Sequence, residues 1–270
     1  MKTIMTAGKG GTGKSIMLAN LLTQHILLQP NSSQTLIVDA DPHQSLTHLL
    51  SRCYGFKVPT SLGDLRRQHT DALRSGKGLE QASRSELANL ILHQALVRLP
   101  GGAALLVMGA NEQAGCQCVV NSLLGNALDA LRDGFDLAVV DNEAGIEQIG
   151  RHGWPVDILL LMTTLRTADL DVTKRILLHA QAVQREIRYS MLIINHFEVS
   201  FAGPLHQRRF PLPETDTIVT LPYSKSLEIT ETPNTDWLAN LKVLWQAIKE
   251  QKDNAHVPAM VSRHEADYSQ

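Results

Sequence analysis

The stretch Gly8-Lys9-Gly10-Gly11-Thr12-Gly13-Lys14-Ser15 constrains this chain more than any other. It fits G-x-x-x-x-G-K-[ST], follows an apolar run from Thr3 to Thr6 and opens a helical stretch, which is the context the pattern requires. Its glycines let backbone N–H groups turn inward onto phosphate oxygens. A helix starting at the end of the loop adds a favourable field for anions. Gly10, Gly11, Thr12, Gly13, Lys14 and Ser15 are therefore expected to cradle the phosphates of a nucleotide. Lys14 would neutralise the β/γ-phosphates and Ser15 Oγ would ligate Mg²⁺.

The rest of the chain supplies strands for such a loop. Short apolar runs occur at Thr3 to Thr6, Thr35 to Val38, Ala104 to Met108, Leu137 to Val140, Ile158 to Met162 and Met191 to Ile194, with a weaker one at Thr217 to Leu221. Runs of this kind read as strands buried on both faces. Helical spacing occurs at Lys14 to Leu28, Ser122 to Leu131, Ala168 to Arg188 and Asp236 to Lys249. The alternation predicts an α/β fold: a doubly wound, mostly parallel sheet with helices on both faces. The expected organisation is one domain over residues 1–250 and a loose tail over 251–270, with residues 51–102 forming helices and loops inserted between early strands.

Two further strands are expected to end in acid. Leu36-Ile37-Val38 leads into Asp39-Ala40-Asp41-Pro42, and Leu137-Ala138-Val139-Val140 into Asp141. In an open parallel sheet, ligands bind at that edge. The second run has the form in which a strand aims a carboxylate at Mg²⁺. Cys116-Gln117-Cys118 adds a third chemistry: two thiolates at this spacing fill two positions round a soft or borderline metal, or are simply small buried residues. Cys53 stands alone and reads as structural.

Composition excludes several functions. With 43% hydrophobic and 19% charged residues, the chain is ordinary for a globular protein. A formal net charge of -2 offers no dominant basic surface, so no nucleic-acid partner is expected. No run of about 18 apolar residues marks a membrane span, and the N-terminus runs into a strand, so the expected compartment is the cytoplasm. After residue 250 the formal cations are Lys252 and Arg263, with no apolar stripe beside them, so no membrane partner is expected.

Lys9, within Lys-Gly-Gly-Thr-Gly-Lys-Ser, makes the loop resemble that of the deviant Walker A ATPases, the P-loop group of MinD and ParA. The resemblance implies ATP as ligand, a nucleotide-dependent homodimer, and Lys9 reaching the partner's phosphates as a finger in trans. It implies Asp39 and Asp141 in the Mg²⁺ shell with Ser15, Asp41 polarising the attacking water, and Lys9, Lys14 and Asp41 as the catalytic set. It also places Asn195 and the loop at Pro222 beside adenine, and a switch at Asn142 to Gln148. Ala7-Gly8-Lys9-Gly10-Gly11, Val38-Asp39-Ala40-Asp41-Pro42, Met108-Gly109, Gly115-Cys116-Gln117-Cys118 and Glu143-Ala144-Gly145-Ile146-Glu147 together look like CooC, the nickel-insertion accessory ATPases of carbon monoxide dehydrogenase. That likeness implies a metallochaperone, with Cys116 and Cys118 of two subunits sharing one Ni²⁺ or Zn²⁺ and a nickel enzyme as client. The alternative is a positioning ATPase of the MinD or ParA kind, acting on a membrane or DNA cargo.

Overall fold

The computed structural model describes residues 1–29, 31–72, 83–99, 101–109, 118–142, 155–182, 187–197, 213–230 and 233–253. Its centre is an eight-stranded sheet, β1 (Lys2–Gly8), β2 (Thr35–Ala40), β3 (Val97–Arg98), β4 (Ala104–Val107), β5 (Leu137–Asn142), β6 (Val156–Thr163), β7 (Ile187–Phe197) and β8 (Thr217–Pro222), in the order β3-β4-β2-β5-β1-β6-β7-β8. Every pairing is parallel except β3 with β4. The seven predicted strands are all present; six of the apolar runs are buried on both faces, and the weaker run, β8, at the sheet edge, buries only Val219 and Leu221. The antiparallel β3 was not predicted. It is two residues long and is held to β4 through a turn in which Leu99 N–H donates to Ala103 O at 2.8 Å.

Helices cover both faces. On one lie α1 (Lys14–Leu21), α2 (Ser45–Tyr54) and, from the C-terminal end, α8 (Thr235–Asp253), packing Met17, Leu18, Leu46, Leu50, Trp237 and Leu241 against Ile4, Ile37 and Val139. On the other lie α3 (Leu62–Ala72), α4 (Arg84–Gln94), α5 (Cys118–Leu131) and α6 (Thr167–Ala182), packing Leu65, Ile91, Leu123 and Ile176 against Met5, Val38 and Val140. The short α7 (Lys225–Thr230) follows β8. Residues 51–102 thus supply the end of α2, then α3, α4 and β3.

Two helices stop short of expectation. The stretch predicted to be helical to Leu28 is α-helical only to Leu21 and continues as a π-helical turn over Leu22–Ile26, with Leu27 N–H reaching Leu22 O at 2.9 Å. The stretch predicted to run to Arg188 stops at Ala182, and Arg188 lies on β7. Pairing of Ile187 with Val156 of β6, and an ion pair from Arg188 to Asp157 at 3.2 Å, override the helix propensity there. Of the expected tail, residues 251–253 belong to α8, and residues 254–270 lie outside the described residues.

Candidate functional site

β1 lies between β5 and β6, and the winding reverses about it: the chain goes first to β2 on one side and later to β6, β7 and β8 on the other. Ligands in open α/β sheets bind at such a reversal, beyond the carboxyl ends of the strands. The loop leaving β1 is tightly placed. Gly8 has φ 145°, and a Cβ there would lie 2.1 Å from the Met162 carbonyl oxygen of β6. Gly13 has φ 94°, and a Cβ there would lie 2.6 Å from Asn195 Nδ2. These two glycines are obligatory because the backbone is approached from β6 and from β7.

The loop is internally braced. Thr12 Oγ1 donates to Lys9 O at 2.8 Å. The buried Lys14 ammonium donates to Gly8 O at 3.1 Å and Lys9 O at 3.2 Å, so the charge is held inside the curve of the loop at the head of α1. Lys9 points elsewhere: its Nζ is 2.7 Å from Asp169 Oδ1, near the start of α6 in the same subunit. Burial alone would raise the Asp169 pKa, but hydrogen bonds from Lys9 and Thr164 hold it below the ordinary carboxylate value. Asp169 was not identified from sequence, and nothing in its local pattern marks it.

Asp39 and Asp141 sit opposite each other on β2 and β5, both fully buried. Asp39 Oδ2 accepts from Thr47 N–H at 2.7 Å and from Thr47 Oγ1 at 2.6 Å, while Oδ1 accepts from Asp41 N–H at 3.2 Å. Burial pushes its pKa up to about 7 against those bonds, with Asp141 adding repulsion. Asp141 is also raised, chiefly by burial, although Ser15 and Thr6 donate to it and Lys14 lies near. Thr6 Oγ1 reaches Asp141 Oδ1 at 2.8 Å. Among the described residues Asp141 Oδ2 has no hydrogen-bond partner. A buried, unpartnered carboxylate oxygen beside a serine hydroxyl and a second carboxylate is the hard-oxygen donor set that suits Mg²⁺, so these residues fit that ion. Among the described residues no cluster of three or more His, Cys, Asp or Glu forms a preassembled metal site.

Asp41, beyond β2, is oriented by two contacts: Oδ1 accepts from His43 N–H at 2.9 Å and Oδ2 from Ser45 Oγ at 3.1 Å. It lines a cavity of about 610 Å³ together with Gly10, Gly13, Lys14 and Ser15. The far wall is α2, through His48, Leu49 and Arg52, which sequence reasoning had not linked to the loop. On the other flank, Asn195 Nδ2 donates to Thr12 O at 2.9 Å, tying the end of β7 to the loop. Pro222 pairs with Phe197 at the neighbouring end of β8.

Cys118 is the first residue of α5, whereas Cys116 and the stretch from Glu143 to Gln148 lie outside the described residues. Cys53, expected to be structural, is exposed on α2 and not in the core. Asn142 ends β5, buried, and neither of its amide atoms is hydrogen-bonded among the described residues. No helix among the described residues is long and apolar enough to cross a membrane.

Known proteins resemble this chain in sequence or fold. An uncharacterised ATP-binding protein of Methanocaldococcus jannaschii is 27% identical over 230 residues, covering 83% of this chain and 85% of the relative. The MinD cell division protein of Aquifex aeolicus superposes with a TM-score of 0.61 at 15% identity, over 92% of this chain and 97% of that one. Cobyrinic acid a,c-diamide synthase of Mycobacterium smegmatis, solved with ADP and magnesium, superposes with a TM-score of 0.62 at 17% identity, over 94% and 97%. At such identities the two structures share the fold and nothing finer. Residues 3–229 match the CobQ/CobB/MinD/ParA nucleotide binding domain, and the chain belongs to that family.

Proposed function

We propose that this protein is an ATPase that binds ATP with Mg²⁺ and hydrolyses it within a two-fold dimer. The observation that carries this reading is the convergence of Lys14, Ser15 and Asp41 on one cavity at the head of α1, with Asp141 buried near Ser15 and Lys14 and Asp39 buried opposite it on the adjacent strand. Mg²⁺, when bound, would neutralise charge building on the phosphates. Ser15, Asp39 and Asp141 would hold it. The backbone from Gly10 to Gly13 and the Lys14 ammonium would bind the phosphate chain. Asp41, kept in orientation by His43 and Ser45, would take up the proton side of the attacking water. Lys9 would leave Asp169 and reach the partner's nucleotide.

Calorimetry with ATP and Mg²⁺, followed by size-exclusion chromatography, tests this. Lys14→Ala should abolish tight binding. Asp41→Ala should bind ATP, fail to turn it over and accumulate as a dimer. An ATP-loaded Asp41→Ala protein that stays monomeric would sink the dimer model.

Within this function we assign the client role to metal delivery. Cys118 begins α5, and Cys116 precedes it by two positions in the sequence; the pair leaves each chain two thiolates short of a four-coordinate site, and a two-fold axis would supply the missing pair. The cargo would be one Ni²⁺ or Zn²⁺ per dimer, destined for a nickel enzyme such as carbon monoxide dehydrogenase. Metal analysis of wild type and of the Cys116→Ser/Cys118→Ser double variant decides it. Unchanged metal content in the double variant would instead favour a positioning ATPase.

A further inference from the structure

The backbone of β1 parts from β5 where the buried acid stands. The β1–β5 ladder ends at the pair Met5–Val140, while β1 continues beside β6 to the pair Gly8–Met162. The side chain of Thr6, a buried residue, spans the parting. Its hydroxyl has one proton to give and two acceptor positions. The Asn142 N–H donates to Oγ1 at 3.2 Å and occupies one of those positions. Two oxygens compete for the proton, Asp141 Oδ1 at 2.8 Å and Val140 O at 3.5 Å. The nearer one carries charge, and a charge-assisted bond is the stronger, so the proton goes to Asp141.

Thr6 thus ties the Asp141 carboxylate to the backbone of its own strand. One oxygen is committed to the threonine, and the other, Oδ2, has no partner among the described residues. Asp39, opposite on β2, differs: Thr47 occupies its Oδ2 and the Asp41 N–H its Oδ1. Of the four carboxylate oxygens in this buried pair, Asp141 Oδ2 is the one left over for a cation.

We propose that Thr6 is a positioning residue that makes Asp141 a one-oxygen ligand and thereby tilts the site toward Mg²⁺ and against Ca²⁺. The proposal rests on the nucleotide-and-Mg²⁺ reading above and adds to it a residue and a selectivity. Mg²⁺ demands near-ideal octahedral geometry, whereas Ca²⁺ tolerates irregular shells and takes carboxylates through one oxygen or both. A carboxylate whose Oδ1 already accepts from Thr6 offers a single oxygen in a fixed plane, which suits the smaller ion. Without the hydroxyl the same carboxylate can turn and offer both oxygens, which suits the larger one.

ADP affinity measured by calorimetry in EDTA, with Mg²⁺ and with Ca²⁺ tests this without turnover, on wild type, Thr6→Val, Thr6→Ser and Thr6→Cys. The affinity in EDTA reads the phosphate loop, and the gain on adding an ion reads the ion. Wild type should gain more from Mg²⁺ than from Ca²⁺. Thr6→Val keeps the shape and loses the hydroxyl. Its Mg²⁺ gain should shrink by about tenfold, the usual cost of removing a group that orients a metal ligand. Its Ca²⁺ gain should shrink less, so the preference narrows. Thr6→Ser should restore both gains. Thr6→Cys, a weak donor of similar size, should fall between valine and wild type, and it carries the comparison if the valine variant does not fold. An undiminished Mg²⁺ gain in Thr6→Val, equal shrinkage for both ions, or a serine variant that behaves as valine does overturns the positioning role and leaves the nucleotide-binding reading intact. Wild type that binds ADP equally in all three conditions overturns the ion assignment together with the proposal. Wild type that binds no ADP overturns the nucleotide-binding reading as well.

Discussion

At the scale of single residues, the site is held in a costly state. Asp39 is buried with its pKa raised from 3.8 to about 7. Its folded value lies above its unfolded one, so the stability linked to its protonation is fully present below about 3.8 and is lost as pH rises through about 7. The nucleotide-free protein should therefore lose on the order of 4 kcal/mol across that window through this one group. Urea midpoints measured against pH should fall over the window in wild type and be flatter in Asp39→Asn, which keeps an oxygen to accept from Thr47. Matching slopes would mean that Asp39 does not carry the effect. Asn142 is a second cost. It is 1% exposed, and neither amide atom is bonded among the described residues. Asn142→Leu should raise stability by about 1–3 kcal/mol, read as an increase in the urea midpoint without a change in slope.

At the scale of elements, the strands follow their sequence closely, whereas α1 does not. Its continuation into a π-helical turn places His25 parallel to Trp245 of α8, at 6.2 Å and 5°. Burial, followed by the charge of Lys242, lowers the His25 pKa below 6.5. The folded protein thus resists protonating this group. Stability is present above about 6.5, and it falls as pH drops below that value. Because the ring lies against an indole, protonation should quench Trp245 emission with a midpoint below 6.5. His25→Gln should remove that transition while the emission of Trp237 persists. A midpoint at or above the ordinary histidine value would contradict the packing described for this turn.

At the scale of the whole molecule, the sheet order brings residues from 9 to 195 to one edge, and it also holds Lys9 on Asp169 within its own subunit. The Lys9 side chain is 43% exposed, so this pair is worth about 1 kcal/mol or less. A partner's phosphates would therefore outcompete Asp169 at little cost. Mixing Lys9→Gln with Asp41→Ala subunits should restore ATP hydrolysis to one site in each hybrid, the site having its own Asp41 and the partner's Lys9. Single-variant dimers should stay inactive. Hybrids proven by mass to form and yet inactive would show that Lys9 works within its own chain.

The sequence alone determined the sheet and the anion loop. Both are written locally: apolar runs of strand length, a glycine pattern, and one lysine and one serine at a helix start. Asp39, Asp41 and Asp141 were legible for the same reason, each standing at or just past the carboxyl end of an apolar strand. What only the tertiary structure decided is everything that depends on contacts between segments distant in the chain. Thr6 meets Asp141 across 135 positions, Asp169 captures Lys9 across 160, and His48 and Arg52 face the loop from α2. No local periodicity encodes such pairs. The end of α6 and the birth of β7 belong to the same class, since helix-forming residues there gave way to a strand once β6 offered a full ladder of hydrogen bonds. So does the bulge at Asn195 and His196, which exists only because β7 and β8 pair out of step by one residue.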